Sequence, residues 1–176
     1  VISSSWPWPG DSAEQIKRGK EVFHLRGLMG YGSFWGDGAD RGPDFSTDAL
    51  HRTVVAMRAF YEAKEKAKTG SDTLTGYEMD AIGARIIREL HTNTYDEAAG
   101  HIVLNEAQIF AINELYTHYT RMFTDATYPD RMDPQNQVSG TDNLRAVTAF
   151  FFWGGWVSAA NRPGETYSYT HNWPFD

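Results

Sequence analysis

Apolar residues recur at helical spacing in five stretches of this chain, and the polar residues at their edges mark where each helix starts and stops. The first helix is predicted from Ser12 to about Leu25, with Gln15 in capping-box position relative to Ser12. The second is expected to be capped by Ser46 or Thr47 and carries Leu50, Val54, Met57 and Tyr61 on one stripe. Its Lys/Glu-rich end, Glu62 to Lys68, reads as solvated helix. Thr75 and Glu78 form a capping box ahead of the third stripe, Met79, Ile82, Ile86 and Leu90. Asn105 with Gln108 opens a fourth helix bearing Ile109, Ile112, Tyr116 and Tyr119 and ending near Phe123. The last helix starts near Asp142 and carries Leu144, Val147, Phe151, Gly155 and Ala159.

The intervals lack helical period. Trp6-Pro7-Trp8-Pro9-Gly10 forbids a helix and predicts an extended arm. Gly27 to Gly42 is glycine-rich and predicts a loop, as does Thr124 to Gly140 with its prolines, Asp, Asn and Gln. Between the third and fourth helices, Asn93 to Leu104 predicts a short hairpin, with a turn through Asp96 to Gly100 and strand propensity in His101-Ile102-Val103-Leu104. No internal repeat is visible. The expected architecture is mainly α, with one small β-hairpin insertion.

The last helix changes the picture most. Ala149 to Ala160, AFFFWGGWVSAA, is apolar on nearly all sides. Such a helix is buried in a core or pressed against a larger body. It is too short to span a bilayer, which takes roughly 20 apolar residues, and Asn161-Arg162-Pro163-Gly164 stops it. Gly154 and Gly155 would let another backbone approach closely, with Gly19 on the first helix as the expected partner.

Composition then narrows the function. At 176 residues a single domain, 1–176, is expected. The net charge of −7, with no Lys/Arg run, argues against nucleic acid as a partner. Aromatic residues make up 14 %, a proportion that suits a large core, an interface or a membrane boundary. The chain has no cysteine, which rules out disulfides, thiolate metal sites, cysteine nucleophiles and thioether-linked haem together. It opens without Met and ends at Asp176, and so reads as a fragment of a longer protein.

Candidate chemistry is sparse. His24, His51, His91, His101, His118 and His171 lack the spacing of a zinc site and read as surface or helix-end residues. Met29, Met57, Met79, Met122 and Met132 read as core rather than axial ligands. Asp37/Asp40 and Glu62/Glu65 are carboxylate pairs whose simpler reading is loop solvation and helix-surface charge.

One stretch carries a family resemblance. Gly19-Lys20-x-x-Phe23 resembles the first helix of small c-type cytochromes, in which a Cys-x-x-Cys-His would follow. Here Leu28, Tyr31 and Gly32 stand at that spacing. The loop Gly36-Asp37-Gly38-Ala39 and Gly42-Pro43-Asp44-Phe45 resembles the cytochrome c subunit of bacterial nitric oxide reductases. Leu28-Met29-Gly30-Tyr31-Gly32 in place of the attachment motif resembles the N-terminal hydrophilic domain of the quinol-dependent, single-chain enzymes. Near the other end, Phe150-Phe151-Phe152-Trp153, Asn161-Arg162-Pro163-Gly164 and Tyr169-Thr170-x-Asn172-Trp173-Pro174 resemble the same enzymes just before a membrane helix.

The resemblance implies a cytochrome c-like helical domain without haem c, in which the first and last helices cross at Gly19 and Phe23 against aromatics of Ala149 to Trp156. Leu28, Tyr31 and Gly32 would be vestigial haem positions, with Leu28, Met29, Tyr31, Phe34 and Trp35 filling the former haem space. It implies an extracytoplasmic, periplasmic domain, inactive alone, packed on the membrane-embedded catalytic domain of the same chain. The parent enzyme would reduce two NO to N2O with quinol electrons, in respiration or in NO detoxification, using haem b, haem b3, non-haem iron and calcium. Gly36, Asp37, Gly38, Tyr169 and Trp173 would form the docking surface, and Gly38 and Asp40 would approach the calcium ion once the membrane domain is present. The fragment itself would hold no cofactor. The alternatives are a free-standing cytochrome c-derived binding or adaptor domain and an electron carrier holding haem non-covalently.

Overall fold

The computed structural model describes residues 6–10, 12–36, 41–133 and 137–171. Among the described residues, five helices and one two-stranded hairpin follow in chain order: α1 (Ser12–Leu25), a single 3-10 turn at Leu28–Gly30, α2 (Phe45–Thr69), α3 (Gly76–His91), β1 (Tyr95–Asp96), β2 (His101–Ile102), α4 (Glu106–Thr124) and α5 (Thr141–Ala159). The strands pair antiparallel, with Tyr95 opposite Ile102 and Asp96 opposite His101. The mainly helical class with a small hairpin is as expected from the hydrophobic pattern. No helix among the described residues is long and apolar enough to cross a membrane.

The α1–α5 crossing is the most extensive helix contact in the molecule. It depends on Gly19. A Cβ there would lie 2.0 Å from the Ala146 carbonyl oxygen and 2.7 Å from the Phe150 Cβ. One turn further along α1, the Phe23 ring meets Phe150 at 5.6 Å and Phe151 at 6.0 Å. The expected crossing is therefore present. The glycines of α5 serve other neighbours: a Cβ at Gly154 would strike the Phe34 ring, and one at Gly155 would press on the Leu50 backbone of α2. The expected pairing of Gly154 and Gly155 with Gly19 is thus corrected. Gly19 lies against the turn around Ala146, two turns earlier on α5.

The core has two parts. The larger gathers Phe23, Leu28, Phe45, Tyr119, Phe123 and Phe151, all at most 2 % exposed, among α1, α2, α4 and α5. The smaller joins α2 to α3 and α4 through Met57, Tyr61, Ile82, Ile86 and Ala111. In α2 the fully buried face is Ala49, Thr53, Ala56 and Met57, whereas Leu50 and Val54 are only half-buried. α5 comes closest to α2 where Gly155 meets the Leu50 backbone. Both predicted capping boxes form: Thr75 with Glu78, and Asn105 with Gln108. Gln15 has a different role from the one expected, because its side chain accepts from Trp6 Nε1 at 2.9 Å and donates to the Pro9 carbonyl at 2.6 Å, clamping the Trp-Pro arm to α1. Met57, Met122 and Met132 are core, but Met29 and Met79 are 61 % and 44 % exposed, because each lies on the outward side of its helical turn.

Gly19→Ala is expected to force α1 away from α5 and lower stability in urea unfolding by about 1–3 kcal/mol. Gly83→Ala in α3, where nothing lies within 4 Å, is expected to raise it by about 0.4–1 kcal/mol through the unfolded chain. Equal effects at the two glycines would show that the crossing is not tight.

Candidate functional site

The segment at the haem-attachment spacing leaves α1 through Gly27, whose φ of 63° turns the chain, and enters the 3-10 turn. Leu28 is fully buried. Gly32 is buried too, and a Cβ there would lie 2.2 Å from the Pro43 carbonyl oxygen. Tyr31 is half-buried, and its hydroxyl accepts from Gln137 Nε2 at 2.9 Å. The space beside these residues is occupied by stacked aromatics: Phe34 on Phe150 at 4.3 Å and Phe45 on Phe151 at 4.4 Å, with Phe23 edge-on to Phe45 at 5.9 Å. Such pairs each add about 0.5–1.5 kcal/mol beyond burial. Of the five residues expected at the former haem space, Leu28 is buried in the larger core, and Tyr31 and Phe34 pack against it. Met29 is exposed, and Trp35 is 47 % exposed and lies over α5 instead. The residues present do not fit a haem c, because the chain has no cysteine for its vinyl groups, and phenyl rings stack beside the Leu28–Gly32 segment.

The loop is tied to this segment by Asp44, a role that periodicity did not reveal. Asp44, not Ser46 or Thr47, is the N-cap of α2. Its carboxylate accepts from Ser33 Oγ at 2.7 Å, Gly36 N–H at 2.6 Å and Thr47 N–H at 2.9 Å, and also from the Ser46 hydroxyl. A short parallel bridge runs alongside, with Ser33 N–H donating to Pro43 C=O and Phe45 N–H to Ser33 C=O. Burial alone would raise the Asp44 pKa, but the donors from Ser46, Gly36, Ser33 and Thr47 outweigh it and hold it at about 2. The local signal was Pro43-Asp44 just before an apolar helical run, where proline stops the preceding chain and Asp is a preferred cap.

Trp35, next to the tied Gly36, adopts φ 54°, the left-handed region that a bulky residue rarely occupies. Its indole N–H donates to Gly154 C=O at 3.1 Å, and its ring lies 5.4 Å from that of Trp153. At the other end of the chain, Tyr169 stacks on Trp156 at 5.9 Å, and its hydroxyl accepts from Asn93 Nδ2 at 2.7 Å. Arg162 holds this tail by donating to Tyr169 C=O at 2.8 Å. Gly36 and Tyr169, two of the expected docking residues, thus flank one aromatic strip on the C-terminal half of α5. Asp37, Gly38, Asp40 and Trp173 lie outside the described residues. Among the described residues, no group of three His, Asp or Glu side chains is placed to hold a metal ion.

A second buried polar cluster was also missed. His118 is buried rather than on the surface as expected, because α4 packs that face on α2. Its Nδ1 is 2.7 Å from the Tyr128 hydroxyl and its Nε2 is 3.6 Å from Asp48. Asp48 accepts from Tyr119 at 2.9 Å and pairs with Arg52 at 2.9 Å, and Arg52 reaches Asp130 at 3.1 Å. Burial opposes the Asp48 charge, but the His118, Arg52 and Tyr119 contacts outweigh it and lower its pKa. Burial, reinforced by Asp48, pushes the Tyr119 hydroxyl well above its ordinary value. These groups tie the 125–133 loop to α2 and α4.

The chain matches the family model for the NorB cytochrome c-like domain of nitric oxide reductase over residues 12–175. No curated protein matches it.

Because the folded pKa of Asp44 lies below the ordinary 3.8, its contribution is complete above that value and is lost as pH falls from about 4 through 2. It amounts to about 2 kcal/mol at neutral pH. Asp44→Asn is expected to cost roughly that amount at pH 7 and to flatten the urea midpoint between pH 4 and 2. An unchanged acid limb in the variant would remove Asp44 from this role.

Proposed function

We propose that this chain, which belongs to the family of NorB cytochrome c-like domains of nitric oxide reductase, is the non-catalytic extracytoplasmic domain of a quinol-dependent nitric oxide reductase. It forms one domain of a longer membrane protein. The observation that carries this reading is a family match over nearly the whole chain combined with a haem-attachment segment whose neighbouring volume is packed with aromatic rings. A domain of this kind passes no electrons itself. Quinol supplies them from within the membrane, and the parent's haem b, haem b3 and non-haem iron reduce two NO to N2O and water.

The domain's role is then structural. The aromatic strip Trp35, Trp153, Trp156 and Tyr169 joins the 36–45 loop to the tail, and supports the reading that both meet the membrane-embedded part together. Asp44 accepts from the Gly36 N–H and so holds this near end of the loop. In the parent, Gly38 and Asp40 would approach the calcium ion, a cation that takes oxygen ligands.

The test is made in the full-length protein. Gly38→Trp and Trp173→Ala are each expected to reduce quinol-driven NO consumption or haem b content, while the 176-residue chain carrying either change unfolds at the wild-type urea midpoint. Full NO reduction and haem b content with both sites disrupted would sink the docking role.

A further inference from the structure

An apolar groove of about 300 Å3 opens where α1, α5 and the hairpin meet. Ile16 from α1, Ile102 from β2, and Phe150 and Trp153 from α5 form its walls. This volume sits at the lower end of small-molecule sites, roughly 300–1,000 Å3, and suits one short chain or ring.

Two further features point to a ligand with a negative end. Lys17 and Lys20, on successive positions of the α1 face, line the same groove, and no Asp or Glu does. Among the described residues the lysines that form ion pairs are Lys64 and Lys68, so Lys17 and Lys20 keep their charge unpaired. This is a cationic, acid-free patch on a chain whose net charge is −7. The second feature is independent of charge. Trp156 lines the groove and is only 6 % exposed, and its indole N–H is buried with no acceptor among the described residues. A buried donor without a partner is unfavourable, and a ligand oxygen would satisfy it.

We propose that this groove binds a small amphiphilic carboxylate. Its hydrocarbon chain or ring packs on Ile16, Ile102, Phe150 and Trp153. Its carboxylate accepts the Trp156 N–H and neutralises Lys17 and Lys20. The groove shares Trp153 and Trp156 with the aromatic strip described above, but its test uses the 176-residue chain alone, so its failure is distinguishable from that of the function proposed above.

The experiment titrates decanoate into the 176-residue chain, followed by calorimetry and by the indole N–H resonances of 15N-labelled protein. Decanol serves as the uncharged probe of equal tail length. The expected result is saturable one-to-one binding of decanoate, with a shift of the one indole N–H resonance that disappears in Trp156→Phe. The double variant Lys17→Gln/Lys20→Gln, at exposed positions whose change leaves the fold intact, is expected to weaken decanoate at least tenfold and to leave decanol unchanged. No saturable binding, decanol binding as tightly as decanoate, or lysine variants that bind like wild type would each overturn the proposal.

Discussion

The close passage of α1 over α5 at Gly19 is the constraint on which the rest of the structure depends. With no Cβ between the two backbones, the Ala146 turn lies directly on α1, and the Phe23 ring one turn on packs against Phe150 and Phe151. Phe23 is carried inward, Phe150 and Phe151 project from consecutive positions on α5, and Phe34 and Phe45 stack on one each. Ring stacking thus ties the loop and the start of α2 to α5. Phe45 is at once the first residue of α2 and a wall of the core. This couples the helix start to the packing.

Polar ties then fix what the rings leave free. Asp44 collects two backbone and two hydroxyl donors, so one carboxylate closes the loop's return, caps a helix and holds Gly36. Trp35 offsets its left-handed backbone with a hydrogen bond to Gly154 C=O and contact with Trp153. Asn93 and Arg162 do for the tail what Asp44 does for the loop, and bring Tyr169 onto Trp156. The C-terminal half of α5 is the common support of both segments. Its unusual hydrophobicity on all sides follows from that: one side faces the core, and others carry the loop, the tail and α2.

Most of this architecture was legible in the hydrophobic pattern, because amphipathic spacing and capping boxes are local signals. The helices bounded by Thr75/Glu78 and Asn105/Gln108 start where those residues indicate, and the hairpin pairs where expected. The crossing was legible through resemblance rather than period. What could not be read depended on partners distant in sequence. Gly154 and Gly155 required close neighbours, but only the fold says that these are Phe34 and Leu50. His118 looked like a surface histidine until α4 turned it toward Asp48, 70 residues earlier in the chain. Gln15 fitted a local cap and was recruited by the arm instead. Gly36 and Tyr169 lie beside the same stretch of α5 because Trp35 contacts Trp153 and Tyr169 stacks on Trp156.

The proposed function rests on the proposal that aromatic packing occupies the interior that a c-type cytochrome devotes to haem. The most direct measurement is an absorption titration of the 176-residue chain with ferric and ferrous haem, with urea unfolding followed at each ratio. The account predicts no saturable Soret change and an unfolding midpoint independent of haem, since ligand that binds only the native state would raise it. A stoichiometric Soret shift, accompanied by stabilisation that grows with haem concentration, would contradict it.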